Sequence, residues 1–158
     1  MTMDAVRPIE DEAALRACFP VMHQLRPHLA DADELVARWR RQVEDGYRLI
    51  ALWRDDVPVA LAGYRQQENL VYGPFLYVDD LVTDSNLRSS GLGNVLMDHL
   101  KAEAARLGCV RLVLDTPLSN VLGHRFYYRN GLLAGALRFG INTGINTSMN
   151  MQQHGATR

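Results

Sequence analysis

The sequence predicts an α/β (α+β) fold in which helices cover a mixed sheet, and three observations carry that expectation. Apolar residues recur at helical spacing over the first 45 or so positions, polar turns then divide the middle into antiparallel strands, and strand-like and helix-like runs alternate from residue 71 onward. With 158 residues, a single domain spanning 1–158 buries enough core to need neither disulfides nor a structural metal.

Taken in order, Glu10 to about Leu29 carries Ala14, Leu15, Cys18, Phe19, Met22 and Leu25 on one helical face, with Pro20 inside the run expected to kink or divide it. Asp31 is a good N-cap for a second helix reaching Val43, which Gly46 ends. Tyr47–Trp53 and Val57–Arg65 read as a hairpin turned through Arg54-Asp55-Asp56, and the aromatic, β-branched run Val71–Val82 as a third long strand, with Gly73-Pro74 disturbing its start. Leu92, Val95, Leu96, Leu100 and Leu107 mark a helix that stops at Gly108. Val110–Leu114 is a compact apolar strand, Val121–Arg129 a short helix closed by Asn130-Gly131, and Leu132–Ile141 a further strand. A weak last strand is expected at Thr147–Gln152, with 153–158 a loose tail.

Composition narrows the function. Seventeen Lys and Arg against 18 Asp and Glu leave a formal charge of -1, so no basic field draws the chain to nucleic acid or an anionic membrane. Met1–Glu10 lacks a signal-peptide core and no run is long enough to span a bilayer, which points to a cytoplasmic protein with Cys18 and Cys109 reduced. The five histidines and two cysteines show no metal-ligand spacing, so no metal is expected.

Chemistry concentrates in Arg88-Ser89-Ser90-Gly91-Leu92-Gly93, which joins a strand to a helix with little side-chain bulk. Such a turn aims backbone N–H groups at an anion on the positive pole of the helix, and phosphate or pyrophosphate is the natural ligand. A triphosphate P-loop is excluded because Asn94, not Lys-Ser/Thr, follows Gly93. A dinucleotide fingerprint would need Gly or Ala where Leu96 stands.

What remains is Arg/Gln-x-x-Gly-x-Gly/Ala, met by Arg88, Gly91 and Gly93. Downstream, Asn120-Val121-Leu122-Gly123-His124-Arg125-Phe126-Tyr127-Tyr128-Arg129-Asn130-Gly131-Leu132 resembles Asn-x-x-Ala-x-x-Phe-Tyr-x-x-x-Gly-Phe, with Gly123 for Ala and Leu132 for Phe. Over Leu76–Leu132 the chain thus resembles the GCN5-related N-acetyltransferase (GNAT) family. The resemblance implies a sheet of six to seven mostly antiparallel strands, splayed in the middle between the strand ending near Val82 and the strand Val110–Leu114, with about four helices around it. It implies acetyl-coenzyme A as acyl donor, used without a metal.

By the same resemblance, Leu81, Val82 and Thr83 bind the pantetheine arm through their main chain, and an N–H near Leu81 or Val82 meets the developing oxyanion. Ser89, Ser90, Gly91, Leu92, Gly93 and Asn94 hold the pyrophosphate chiefly by backbone N–H groups, while Arg88 either reaches it or braces the loop. Tyr127 is the acid for the departing thiolate, with Tyr128 its rival if the register slips by one. Asn120 either contacts the donor or simply caps its helix. For the base, a strand sends neighbours to opposite faces, so one of Asp79 and Asp80 faces the acceptor; the resemblance favours Asp80, two residues before Val82, where some polyamine and amino-acid acetyltransferases of the family carry Asp, and leaves a water chain as the alternative. The acceptor is a small-molecule or peptide amine, with a weak preference for a cationic one; Trp39, Trp53, Tyr72 and Tyr77 are candidates to line its pocket. The resemblance leaves a homodimer open. The competing class is a non-catalytic acyl-coenzyme A binding module.

Overall fold

Five strands form one sheet in chain order: β1 (Asp4–Pro8), β2 (Arg48–Arg54), β3 (Val57–Asn69), β4 (Gly73–Thr83) and β5 (Arg111–Leu114). In this computed structural model the described residues are 3–145, and they fall into two compact units that divide between Leu114 and Asp115. The first unit holds the whole sheet with helices α1 (Glu12–Leu25), α2 (Ala32–Glu44) and α3 (Leu92–Arg106); the second holds α4 (Val121–Arg129). Among the described residues no helix is long and apolar enough to cross a membrane.

Local chemistry explains most boundaries. Asp11 and Asp31 cap α1 and α2, each carboxylate accepting from the N–H three residues on, at 2.8 and 2.9 Å. Contrary to expectation, Pro20 does not divide α1, and the helix stops at Leu25 rather than Leu29. Pro27 is the reason: the residue before a proline is pushed out of the helical region, and Arg26 sits at φ -121°, ψ 68°. Asp55 and Asp56, at φ 47° and 65°, make the two-residue β2–β3 turn whose twist matches the strands it joins.

β1 was not foreseen. It pairs antiparallel with β2 from Asp4↔Arg54 to Pro8↔Ile50, yet only Val6 among its five residues is even partly buried, so it carries no alternation to read. Its pairing places it at one edge of the sheet, where Pro8 is tolerated. β3 is central and correspondingly apolar, buried from Pro58 through Tyr64.

The sheet separates two cores. On one face α1 and α2 pack Leu15, Cys18, Met22, Leu35 and Val36 against Leu49, Ala51, Leu61 and Val82. On the other, α3 packs Leu92, Leu96, Leu100 and Ala104 against Ile50, Ala60, Ala62, Leu76 and Val78.

In the second unit Asn120 caps α4, and Gly131, at φ 85°, ends it. The strand expected at Leu132–Ile141 is absent: residues 132–145 form no strand. The described sheet therefore has five strands, not six or seven. The strand expected at Thr147–Gln152 and the tail 153–158 lie outside the described residues.

Candidate active site

β4 runs beyond its neighbour. Its parallel ladder with β5 extends from Phe75↔Arg111 only to Val78↔Leu114, whereas its antiparallel ladder with β3 continues to Thr83↔Ala60. From Asp79 to Thr83 the β4 backbone is therefore laddered on its β3 side alone. Leu81 leans on the α3 core and Val82 on the α1/α2 core, so side chains hold this stretch in place while its second edge offers main-chain groups.

The chain then turns through a 3-10 segment, Ser85–Leu87, into α3. Asp84 organises the turn, its carboxylate accepting from Asn86 N at 2.9 Å and its carbonyl from Leu87 N at 2.9 Å. Gln24 of α1 accepts from Ser85 N at 2.8 Å, and the Ser90 hydroxyl donates to Leu87 O. Ser89 and Gly91 adopt φ 64° and 84°, the left-handed backbone that lets successive N–H groups point into one concavity. Whereas Asp11, Asp31 and Asn120 cap the other helices, no side chain caps α3 and its first turn has no acidic residue. Its positive pole is left for an anion.

Asp79 and Asp80 overturn a sequence expectation. Gly63 pairs with Asp80 and Tyr64 with Val78, so Asp79 is an extra residue, a bulge. The bulge cancels the alternation that would have sent the two carboxylates to opposite faces, and both join one network on the α1/α2 side. Arg65 Nε donates to Asp79 at 3.0 Å, and Arg26 donates to Asp80 at 2.9 Å and to the Asp79 carbonyl at 2.8 Å. Tyr47 Oη donates to the second Asp80 oxygen at 2.8 Å. Asp80, expected as the base for the acceptor's proton, has both carboxylate oxygens engaged, one by Arg26 and one by Tyr47. Burial raises the Asp79 carboxyl, with Arg65 pulling the other way. Burial, reinforced by the Asp80 charge, drives the Tyr47 hydroxyl well above the ordinary phenol range.

Sequence reading missed Tyr47, Gly63, Arg26 and Arg65. A Cβ on Gly63 would lie 2.0 Å from Tyr47 Oη, so the glycine exists to admit that hydroxyl. Its absence of side chain inside a buried strand was the available signal.

In the second unit, Asn120 Oδ1 accepts from Gly123 N at 3.1 Å and Nδ2 donates to Thr116 Oγ1 at 2.9 Å, so the amide both caps α4 and ties down the preceding turn. His124 is held by the Pro117 carbonyl at 3.0 Å. Tyr127 packs edge-on against Phe126, ring centroids 5.5 Å apart, and burial raises its hydroxyl above the ordinary value. Tyr128 is exposed. Of the remaining aromatic candidates, Trp39 and Trp53 pack on the α1/α2 core, and Tyr72 stacks on Phe75 and Arg111 by the β3–β4 turn.

A strand that outruns its parallel neighbour, followed by an uncapped helix reached through Arg88-x-x-Gly91-x-Gly93, agrees with the comparison to known families. The sequence profile of the Acetyltransferase (GNAT) family matches residues 12–132. The chain belongs to this family. It is accordingly an acetyl-transferring enzyme. YhdJ, an uncharacterized N-acetyltransferase of Bacillus subtilis (strain 168), is 32% identical over 110 residues, spanning 69% of this chain and 77% of that one. Glucosamine-6-phosphate N-acetyltransferase from Arabidopsis thaliana shares the fold at a TM-score of 0.70 and 18% identity, covering 89% of this chain and 99% of that one. Aminoglycoside N-acetyltransferase AAC(6')-Iy, solved with CoA, does so at 0.81 and 15%, covering 92% and 97%.

Within the GNAT framework the first unit of this acetyltransferase thus presents two features side by side on one chain segment: a main-chain edge at 79–83 and an anion-ready turn at 88–94. The paired Asp79 and Asp80 are fixed beneath the first.

Proposed function

We propose that this acetyltransferase takes acetyl-coenzyme A as donor and passes the acetyl group to a primary amine by direct attack in a ternary complex. The observation that carries the reading is the combination of an unladdered β4 edge with an uncapped α3 start. The edge at Leu81, Val82 and Thr83 suits the amides of a pantetheine arm, which add to a strand as a peptide does. The N–H groups of Ser89 through Asn94 suit a pyrophosphate, with Arg88 at the mouth of the turn.

In the reaction the amine nitrogen bonds to the thioester carbonyl carbon, the carbonyl oxygen gains charge, and the C–S bond then breaks to release coenzyme A as a thiol. A main-chain N–H near Leu81 or Val82 meets the oxyanion. Tyr127 gives its proton to the departing sulfur; a hydroxyl whose ionisation burial opposes is held protonated and ready to donate. Asn120, with one amide proton and one oxygen lone pair not used in its cap, orients the donor. With Asp80 locked by Arg26 and Tyr47, the amine loses its proton to a water chain, and Asp80 positions the β4 bulge.

Charge does not single out a cationic acceptor, because Arg65 and Arg26 match Asp79 and Asp80 one for one. The class we assign is a small-molecule primary amine, in keeping with the amino-sugar and aminoglycoside enzymes that share the fold. The test is thiol release from acetyl-coenzyme A across an amine panel, beside calorimetry with coenzyme A. Tyr127→Phe should lower turnover by about 10²-fold or more while coenzyme A still binds. Equal turnover by Tyr127→Phe refutes the acid; binding without turnover on any amine favours the non-catalytic module; failure to bind refutes the donor.

A further inference from the structure

The extra residue of a bulge is left without a ladder partner, so the main-chain polar groups of Asp79 must be met from elsewhere. The Asp79 carbonyl accepts from Arg26 Nη2 at 2.8 Å. The same guanidinium donates through Nε to Asp80 Oδ1 at 2.9 Å, so one rigid fork spans the extra residue and the next. Tyr47 Oη donates to Asp80 Oδ2 at 2.8 Å. Asp80 is thus held at three points: the carbonyl before it and both oxygens of its side chain.

The fork has a fixed origin. Arg26 is the C-cap residue of α1: its N–H donates to the Met22 carbonyl at 2.8 Å, its carbonyl accepts from Leu29 N at 3.1 Å, and Pro27 keeps it out of the helical region. The Arg26 side chain is 38% exposed against 13% for Asp80. An ion pair with one partner so far into water contributes little to folding, and what the arrangement chiefly supplies is a fixed orientation of the β4 main chain.

We propose that Arg26 is a positioning residue for acetyl transfer: by clamping the Asp79 carbonyl and the Asp80 carboxylate together, it aims the main-chain N–H that meets the oxyanion. The proposal rests on the donor reading above, in which that N–H belongs to Leu81 or Val82. Successive N–H groups of a strand point to opposite sides, so one of these two faces away from β3, one or two peptide units beyond the clamp. A rotation of the Asp79–Asp80 peptide is passed directly to it. Removing an oxyanion donor costs about 10²–10³ in turnover, and a donor that is kept but loosely aimed loses part of that. Lysine cannot replace the fork, because an ammonium is a point donor on a flexible stem and does not reach both oxygens in one plane.

Acetyl-coenzyme A labelled with ¹³C at the thioester carbonyl, bound to the full chain without an acceptor, reports that aim through its carbonyl stretch in isotope-edited infrared difference spectra, and calorimetry gives the affinity. In the parent the bound band should lie below that of free acetyl-coenzyme A, as a hydrogen bond to the carbonyl oxygen requires. Arg26→Lys should lose most of that shift and, with an amine the parent accepts, about tenfold or more in kcat, while coenzyme A affinity and KM for acetyl-coenzyme A stay near the parent values. Millimolar guanidinium ion added to Arg26→Ala should restore part of the shift, and methylammonium at the same concentration should not. A full shift and parental kcat in folded Arg26→Lys mark a merely structural ion pair and overturn the proposal. If Arg26→Ala does not fold, Arg26→Lys, which keeps a positive charge beside Asp80, decides alone. A parent that binds coenzyme A but shows no shift overturns the proposal and leaves the donor standing; a parent that does not bind coenzyme A refutes the donor reading and the proposal with it.

Discussion

Replacing Gly63 by alanine tests the network under the β4 edge. The new methyl would stand 2.0 Å from Tyr47 Oη and 2.5 Å from Cζ, more than an ångström inside ordinary contact. Tyr47 is 4% exposed and packed among Leu49, Leu61 and Val82, so a rigid ring has nowhere to retreat. Two costs follow. Forcing a methyl into a filled core costs about 1–3 kcal/mol, and displacing the ring breaks a hydrogen bond to an ionised carboxylate, about 1.5–3 kcal/mol. The total of roughly 2.5–6 kcal/mol is a large fraction of the stability of a typical domain. Urea unfolding measures it as a lowered midpoint at unchanged slope. Tyr47→Phe in the same background removes the atom at 2.0 Å but leaves the carbon at 2.5 Å, so the double variant should lose less than the sum of the two singles. A Gly63→Ala protein within about 0.5 kcal/mol of the parent would refute the fitted-glycine account and with it the locked Asp80.

Gly91→Ala meets no atom within 4 Å, so its effect is conformational: φ 84° costs a side chain about 1–2 kcal/mol, and calorimetry should show weaker coenzyme A binding as the turn relaxes. Gly123→Ala restores the residue typical of the family but puts a methyl 2.2 Å from Asn120 Nδ2, so the α4 cap is displaced at about 1 kcal/mol, read by thermal unfolding; an unchanged melting temperature refutes it. Burial pushes the Cys18 thiol up to about 12 from 9.0, so its contribution is complete below pH 9 and is lost as pH rises toward 12 at about 1.4 kcal/mol per unit. Cys18→Ala should therefore flatten the alkaline limb of stability between those values, and an unchanged limb counts against the burial.

How far the fold could be read depended on the range over which each feature is decided. Asp31 and its helix, Val121–Arg129 and the turn at Gly91 are settled by chemistry within four or five residues, and all appeared in the sequence where the structure has them. The β1 strand is settled by a partner some 46 residues away, Val6 against Leu52, and left no local trace. Leu132–Ile141 shows the converse: its local pattern is that of a strand, but the pattern specifies a face to bury and not the neighbour that buries it.

The β4 bulge is where this distinction matters most for catalysis. Two adjacent acidic residues late in an apolar strand suggested one carboxylate for the acceptor, on the premise that neighbours diverge. That premise fails because β3 and β4 slip by one residue at Gly63/Tyr64, beside the Tyr47 hydroxyl that Gly63 admits. Both carboxylates lie on the α1/α2 face, each hydrogen-bonded by an arginine, so the stretch gains a braced floor. On the proposed reading the donor is held by what the main chain of β4 and α3 presents, and for that the small residues within 89–93 are the informative positions in this part of the sequence.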